Sequence, residues 1–157
     1  MIYLDHLTTT PPLTEVVDAM QPWLRGQFGA PASLHKLGLE ARDAIDAARE
    51  RLAKLVNAAE PEEIIFTSSG SESNNMVLKG VLNPGDHLIT SSYEHPAIGK
   101  ILPVLEQQGV EISQVQPDGN GRISPSSVEG QIRENTRLIS IMWVNNELGT
   151  INPISEI

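Results

Sequence analysis

Apolar positions in the first third of the chain follow the spacing of two amphipathic helices. From Thr14 onward, apolar side chains recur every four positions, which places them on one face of a helix: Val16, Met20, Leu24 and Phe28. Pro22 lies inside this pattern and predicts a kink. The segment 29–33 then ends the helix, and the spacing predicts a second helix from Leu34 to Val56, with its charged residues on the opposite face.

After Pro61 the pattern changes to short apolar runs that alternate with helical segments. Four runs predict buried strands: Glu63–Phe66, His87–Thr90, Val110–Val115 and Leu138–Val144. Helices are predicted through Met76–Gly80, over Pro96–Gln108 and over Ser124–Glu134. Strands and helices that alternate in this way are typical of a parallel sheet with crossover helices. The pattern therefore predicts an α/β fold.

A turn of small residues at Thr67–Asn75 lies between the first predicted strand and its helix. Free backbone N–H groups at the start of a helix point outward with the positive end of the helix dipole, and serine and glycine let an anion approach them closely. A serine-capped loop that binds nothing is the alternative, because serine is a favoured N-cap residue. The turn matches neither a Walker loop nor a Rossmann fingerprint, so it gives no support to nucleotide binding.

Two further polar loops follow predicted strands. In a parallel sheet, ligands bind in the crevice just outside the carboxyl ends of the strands. This rule predicts that the segments 68–71, 91–95 and 145–147 lie around one crevice. A ligand held at the serine turn would therefore meet groups from the two other loops.

The composition limits the class of protein. With 11 Lys and Arg against 20 Asp and Glu, the formal net charge is −9, which argues against a nucleic-acid partner and against an anionic membrane surface. The absence of cysteine excludes disulfides, thiolate metal sites and a cysteine nucleophile within these residues. The amino terminus lacks the features of a signal peptide, and no stretch approaches a membrane span. We expect a cytoplasmic protein without a metal site.

Several short motifs, taken together, resemble one enzyme family. They are Tyr3-Leu4-Asp5, Thr9-Thr10-Pro11, Phe28-Gly29, Pro31 to His35, Ile65 to Asn75, Glu94-His95-Pro96-Ala97, Ser140-Ile141-Met142 and Val144 to Thr150. In this order along the chain they resemble the amino-terminal part of a fold-type I pyridoxal-phosphate enzyme of the class V aminotransferase group, and most closely a cysteine desulfurase. The resemblance runs from Ile2 to Ile157.

The resemblance implies a fold and a division into domains. The fold is a three-layer αβα arrangement with a mostly parallel sheet, the major domain of pyridoxal 5'-phosphate (PLP)-dependent transferases, incomplete in this chain. Residues 1–13 would form an extended segment that packs with the small domain. Residues 14–157 would form the first part of the large domain, which binds the cofactor PLP.

The resemblance also implies roles for four residues. Gly70 and Ser71 match the pair that binds the cofactor phosphate. His95 matches the histidine that stacks on the pyridine ring and helps proton transfer, which suits a planar group that titrates near neutral pH. A histidine bonded locally before a proline-started helix is the alternative. Asn146 matches the asparagine near the phenolic oxygen of the cofactor and the substrate carboxylate; the alternative is an Asx turn, a role that fits Asn145 better.

Two groups that such an enzyme needs are missing from these residues. In the family, the lysine that forms a Schiff base with PLP and the cysteine that receives sulfur both follow the matched region. The four lysines of this chain lie in helical patterns away from the three loops: Lys36, Lys54, Lys79 and Lys100. We therefore expect a truncated or split chain that is inactive alone and needs the remainder of the chain or a companion polypeptide.

The complete protein is expected to convert L-cysteine to L-alanine and to transfer the sulfur to an enzyme cysteine as a persulfide. By resemblance it would be a homodimer that passes sulfur to a scaffold protein for iron–sulfur cluster assembly. Alternatives within the group are a selenocysteine lyase and a cysteine lyase. Outside it, the alternatives are a non-catalytic domain that binds a phosphorylated small molecule and a catalytically inactive interaction protein.

Overall fold

The computed structural model describes residues 2–6 and 9–157. It groups into two compact units, one up to Phe66 and one from Thr67 to Ile157. The division predicted at residue 13 stays a prediction, and residues 1, 7 and 8 of that segment lie outside the described part. Among the described residues, no helix combines the length and apolar character needed to cross a membrane.

The first unit contains two long helices and one short turn of 3₁₀ helix. These are α1 (Thr14–Arg25), α2 (Lys36–Val56) and the 3₁₀ turn (Pro61–Glu63). The start of α1 and the end of α2 agree with the prediction. The prediction that α1 reaches Phe28 was wrong, because the helix ends at Arg25 and Gly26 follows it. Helix α2 begins after His35, whose Nδ1 accepts the N–H of Gly38 at 3.2 Å.

The second unit is a sheet with helices on both faces. In chain order it contains α3 (Gly70–Val81), β1 (His87–Ser91), α4 (Pro96–Gly99), α5 (Leu102–Gln107), β2 (Glu111–Val115), α6 (Pro125–Glu129) and β3 (Thr136–Ser140). The strand order is β2-β1-β3, and both pairings are parallel. In this register Thr90 of the central strand faces Gln114 and Ser140.

Alternate residues of β1 supply the two halves of the core. Leu88 packs on one face with residues of α3, α4 and α5, which include Leu78 and Leu105. Ile89 packs on the other face with Val128 of α6 and its neighbours. All five residues of β1 are buried, which follows because this strand has a neighbour on each side and helices on both faces. The predicted αβα layering is confirmed.

Two strand predictions need correction. The run Glu63–Phe66 is not a strand: Ile65 is 64% exposed, and the carbonyl of Ile64 accepts a hydrogen bond from Arg49 instead of a neighbouring strand. A β-branched run forms a strand only where another strand offers ladder bonds. The last strand ends at Ser140 rather than Val144. The residues that follow lie outside the sheet, and Trp143 is 69% exposed.

Two helix predictions were too long. The segment predicted as one helix over Pro96–Gln108 is divided into α4 and α5, because Pro103 has no N–H and its ring disfavours a continuous helix through the preceding turn. Helix α6 ends at Glu129 rather than Glu134, with Gly130 following as its cap. The shorter elements leave the positions of the strands unchanged.

Candidate functional site

The start of α3 forms its own hydrogen-bonded turn. Ser69 is the N-cap, and its Oγ accepts the N–H of Glu72 at 3.3 Å. The carboxylate of Glu72 reaches back and accepts hydrogen bonds from Ser68, from Oγ at 2.7 Å and from N–H at 2.6 Å. These two bonds lower the pKa of Glu72, the hydroxyl bond more than the amide bond. The hydroxyl and the N–H of Ser68 therefore already have an acceptor within the turn.

Gly70 and Ser71 keep their donors available. Within the described residues, neither backbone N–H has an acceptor, and the hydroxyl of Ser71 has no partner. Both residues are exposed, and a Cβ placed on Gly70 would meet nothing within 4 Å. The turn thus presents two amide donors and one hydroxyl at the positive end of a helix of 12 residues. This donor set fits the phosphate of PLP.

His95 lies in the loop after β1 and caps the next helix. Its Nδ1 accepts the N–H of Ala97 at 3.0 Å, and Pro96 occupies the first position of α4. The local hydrogen bond considered as the alternative is therefore present. Because Nδ1 is an acceptor, the neutral ring carries its proton on Nε2. A capping role and a role at Nε2 are compatible, since they use different nitrogens.

A cavity of about 230 Å³ lies beside His95 at the carboxyl ends of β1 and β3. Its lining residues come from α3, from the loop after β1 and from the end of β3: Asn74, Glu94, His95, Ile98, Ser140, Ile141 and Met142. Of the three loops predicted to surround one crevice, only 91–95 supplies lining residues. Asn74 in the second turn of α3 and the segment 140–142 line the cavity in place of 68–71 and 145–147. Gly70, Ser71 and Asn146 are not among the lining residues.

The loop that carries Asn146 is shaped by the residue before it. Oδ1 of Asn145 accepts the N–H groups of Glu147 at 2.9 Å and Leu148 at 2.8 Å, which forms an Asx turn. Nδ2 of Asn145 donates to the carbonyl of Tyr93 at 3.3 Å and so joins this loop to the one that carries His95. Asn145 is buried, whereas Asn146 is half-buried and makes no hydrogen bond within the described residues.

Sequence reasoning missed the residues that connect these loops. Asn152 is 1% exposed; its Nδ2 donates to the carbonyl of Met142 at 2.8 Å and to the hydroxyl of Tyr93 at 2.9 Å. Nothing in the spacing of the sequence indicates a contact across 59 positions. Glu94 was within reach of sequence reasoning, because it precedes His95 in a polar loop at the end of a strand. Both residues hold the walls of the cavity together.

The lysines do not line the cavity. Each of the four is exposed and lies near a helix end: Lys36, Lys54, Lys79 and Lys100. None of them is among the residues that line the cavity beside His95. The described residues therefore offer no amine at this site.

Comparisons with known proteins give a consistent result. Residues 2–157 match the family described as Aminotransferase class-V. The chain is 47% identical over 160 residues to the cysteine desulfurase IscS of Dictyoglomus turgidum and 44% identical over 160 residues to that of Methanosarcina thermophila. In both cases 99% of this chain is covered, but only 40% and 39% of the relative. The chain thus spans about two fifths of the length of these relatives.

Solved structures show the same partial coverage. A structure titled "SspA in complex with cysteine" superposes with a TM-score of 0.91 at 40% identity and covers 99% of this chain and 46% of that one. A "NIFS-LIKE PROTEIN" superposes with a TM-score of 0.90 at 34% identity, over 96% of this chain and 42% of that one. The similarity in sequence and in fold therefore extends over nearly all of this chain.

Proposed function

Because this chain belongs to the class-V aminotransferase family, whose members in general depend on PLP, we propose that the complete protein is a cysteine desulfurase. The reaction would convert L-cysteine to L-alanine and leave its sulfur as a persulfide on an enzyme cysteine. In this reaction the C–S bond of the substrate and the S–H bond of the acceptor cysteine break. An S–S bond forms on the acceptor, and the proton balance is closed by a new C–H bond at the substrate carbon that lost sulfur.

One observation supports this proposal: the helix that begins with Gly70 and Ser71 also contributes Asn74 to the cavity that His95 lines. The 47% identity to a named cysteine desulfurase supports the same substrate class. The neighbour solved with cysteine adds support from structure.

Gly70 and Ser71 would bind the phosphate of the cofactor through two amides and a hydroxyl. Bound PLP supplies an electron sink for the bonds at the α-carbon of the amino acid. Asn146 would donate its neutral amide near the phenolic oxygen of the cofactor and the substrate carboxylate, without adding charge. The Asx turn at Asn145 fixes the backbone from which that amide extends.

His95 would hold the ring of the cofactor and move a proton at Nε2. The bond from Ala97 N–H occupies Nδ1 and fixes the orientation of the imidazole. The other nitrogen, Nε2, carries the proton of the neutral ring and is then left to donate it at the substrate and to take it back. The 157 residues contain no cysteine, so the acceptor thiol in this proposal lies outside them.

The test is an assay of the full-length protein with PLP and L-cysteine. We expect visible absorbance from the bound cofactor, formation of alanine and labelling of a persulfide on the protein. Pyruvate in place of alanine would indicate a cysteine lyase and overturn the proposal. Turnover of selenocysteine without turnover of cysteine would indicate a selenocysteine lyase. Phosphate binding without any turnover would favour the non-catalytic alternatives.

A further inference from the structure

The residue before His95 joins two strand ends. Oε1 of Glu94 accepts a hydrogen bond from Oγ of Ser91 at 2.5 Å and another from the N–H of Met142 at 2.9 Å. Ser91 is the last residue of β1, and Met142 follows the end of β3 by two positions. A single carboxylate oxygen thus connects the carboxyl ends of two neighbouring parallel strands, beside the cavity that it helps to line.

The geometry of these bonds indicates a firm connection. Ser91 is 2% exposed and Glu94 is half-buried, so water competes little for the serine hydroxyl. A distance of 2.5 Å lies at the short end of the range for a hydroxyl bonded to a carboxylate. The N–H of Met142 has left the ladder of the sheet, and Glu94 provides the acceptor that this group would otherwise lack.

This connection fixes the position of the His95 backbone. Its backbone is held on one side by the bonds of Glu94 and on the other by Pro96, whose ring fixes the first residue of α4. The ring of His95 is then fixed by the bond between Nδ1 and Ala97. The distance between the imidazole and the wall formed by Ser140–Met142 therefore depends on the length of the Glu94 side chain.

We propose that Glu94 is a positioning residue, which fixes His95 relative to the end of β3 through the length and acceptor oxygen of its side chain. Its importance for turnover rests on the proposed function. The positioning itself does not, because the two hydrogen bonds involve only groups of this chain.

Three variants separate position from charge. Glu94→Gln keeps the acceptor oxygen at the same distance and loses the charge. Glu94→Asp keeps the charge but is one methylene shorter, so it cannot reach both donors. Glu94→Ala removes both. Ser92→Ala is the matched control, because the hydroxyl of Ser92 belongs to the same loop but donates to Gln116, outside the cavity.

The first readout needs no cofactor. Hydrogen exchange at the amide of Met142 and the ¹⁵N signals of His95 are measured in the full-length protein without added PLP or cysteine. In Glu94→Asp and Glu94→Ala, we expect exchange at Met142 to accelerate about tenfold, because its N–H loses the acceptor oxygen, and the Nδ1 signal of His95 to shift. Glu94→Gln and Ser92→Ala are expected to resemble the unchanged protein.

The second readout is kinetic. In the loaded enzyme, Glu94→Asp is expected to lower kcat for alanine formation about tenfold with a smaller change in KM, because misplacement of a proton-transfer group affects the transition state more than binding. Glu94→Gln is expected to retain most of kcat. Should Glu94→Ala fail to fold, the comparison of Asp with Gln still tests the proposal.

The outcomes separate this proposal from the proposed function. If kcat falls in Glu94→Gln but is retained in Glu94→Asp, the charge of Glu94 matters and the positioning role is overturned. Unchanged exchange at Met142 in Glu94→Asp would also overturn the positioning role. If the exchange and ¹⁵N changes occur in a protein that neither binds PLP nor turns over cysteine, the positioning stands and the cysteine desulfurase function fails.

Discussion

At the scale of the residue, the candidate site is defined by which polar groups remain free after local bonds form. The carboxylate of Glu72 accepts hydrogen bonds from the hydroxyl and the N–H of Ser68. The hydroxyl oxygen of Ser69 accepts one from the N–H of Glu72. This leaves Gly70 and Ser71 as the donors available to an anion. The same distinction applies to the histidine, where Ala97 occupies Nδ1 and Nε2 stays available.

Replacement of the free hydroxyl should weaken cofactor binding. In Ser71→Ala, we expect the affinity for PLP to fall about tenfold, because one hydrogen bond to a charged phosphate is lost while the two amides remain. Spectroscopic titration of the full-length apoprotein measures this effect. Ser155→Ala, at an exposed serine outside the turn, is the control. An unchanged affinity in Ser71→Ala would contradict the assignment of the phosphate site.

Replacement of the imidazole can be designed to leave its capping role intact. Asparagine is a favoured N-cap residue, so His95→Asn should preserve the bond to Ala97 and the start of α4 while it removes the titratable nitrogen. We expect alanine formation to fall about 10²-fold or more, with the melting temperature nearly unchanged. Full activity in this variant would show that the proton-transfer role belongs to another group.

At the scale of the element, the sheet is held together across its opposite end by one buried histidine. His87 begins β1 and is completely buried; its Nδ1 lies 2.8 Å from the hydroxyl of Thr136 on β3, and its Nε2 lies 2.9 Å from that of Ser113 on β2. Burial lowers the pKa of His87, nearby Arg133 lowers it further, and Glu111 opposes the shift. The neutral ring thus joins all three strands.

This arrangement predicts a dependence of stability on pH. In the unfolded chain the imidazole takes up its proton near its ordinary pKa of 6.5, whereas the folded chain resists protonation. The free energy of unfolding should therefore decrease as the pH falls below 6.5 and until the lowered pKa is passed. Urea unfolding of the chain at neutral and mildly acidic pH measures the slope.

His87→Asn should remove that slope, because asparagine can bond a hydroxyl but does not titrate. The carboxyls of Glu72 and Asp118 also have lowered pKa values, but their stabilising effect is lost only below their ordinary values of 4.5 and 3.8. The two pH ranges are therefore separate. An equal slope in His87→Asn between neutral pH and pH 4.5 would disprove the role of His87.

Packing between α5 and the sheet provides a second prediction at this scale. Leu105 is fully buried in the cluster around Leu88, whereas Val104 on the same helix is 40% exposed. Leu105→Ala should destabilise the chain by about 3 kcal/mol, because it leaves a cavity in a packed core. Val104→Ala should cost less than about 1 kcal/mol. Denaturant unfolding of both variants measures the difference.

At the scale of the whole molecule, much apolar surface remains exposed. No residue of α1 is buried, and its apolar side chains Val16, Met20 and Leu24 are 47%, 50% and 70% exposed. In the second unit, Trp143 and Leu148 are 69% and 63% exposed. Such surfaces are unusual for a protein that works as an isolated monomer, and they bind partners or aggregate.

We therefore expect the 157-residue chain, expressed alone, to associate with itself. Its net charge of −9 opposes aggregation but does not cover the apolar faces. Sedimentation velocity over a range of concentrations measures the effect, with binding of a hydrophobic dye as a second probe. A monodisperse monomer that unfolds cooperatively and leaves the dye unbound would contradict this expectation.

The sequence by itself determined the features that depend on short-range interactions. The spacing of apolar residues located the start of α1, the end of α2 and the positions of β1 and β2 to within a residue or two. Serine, glycine and histidine at helix starts predicted the caps and the free donors at the start of α3, because such bonds form between residues a few positions apart. The family motifs are also short runs of neighbouring residues, so they could be found in the sequence alone.

Only the tertiary structure decided the rest. Ile64–Phe66 does not pair with a strand in the described part of the chain, and the carbonyl of Ile64 bonds the side chain of Arg49 instead. The last strand ends early because Glu94 accepts the N–H of Met142 across 48 positions. Both outcomes depend on contacts between residues that are far apart in the sequence, and the periodicity of apolar residues contains no information about such contacts. The cavity wall is built from the same long-range bonds, so its connecting residues became visible only in the folded chain.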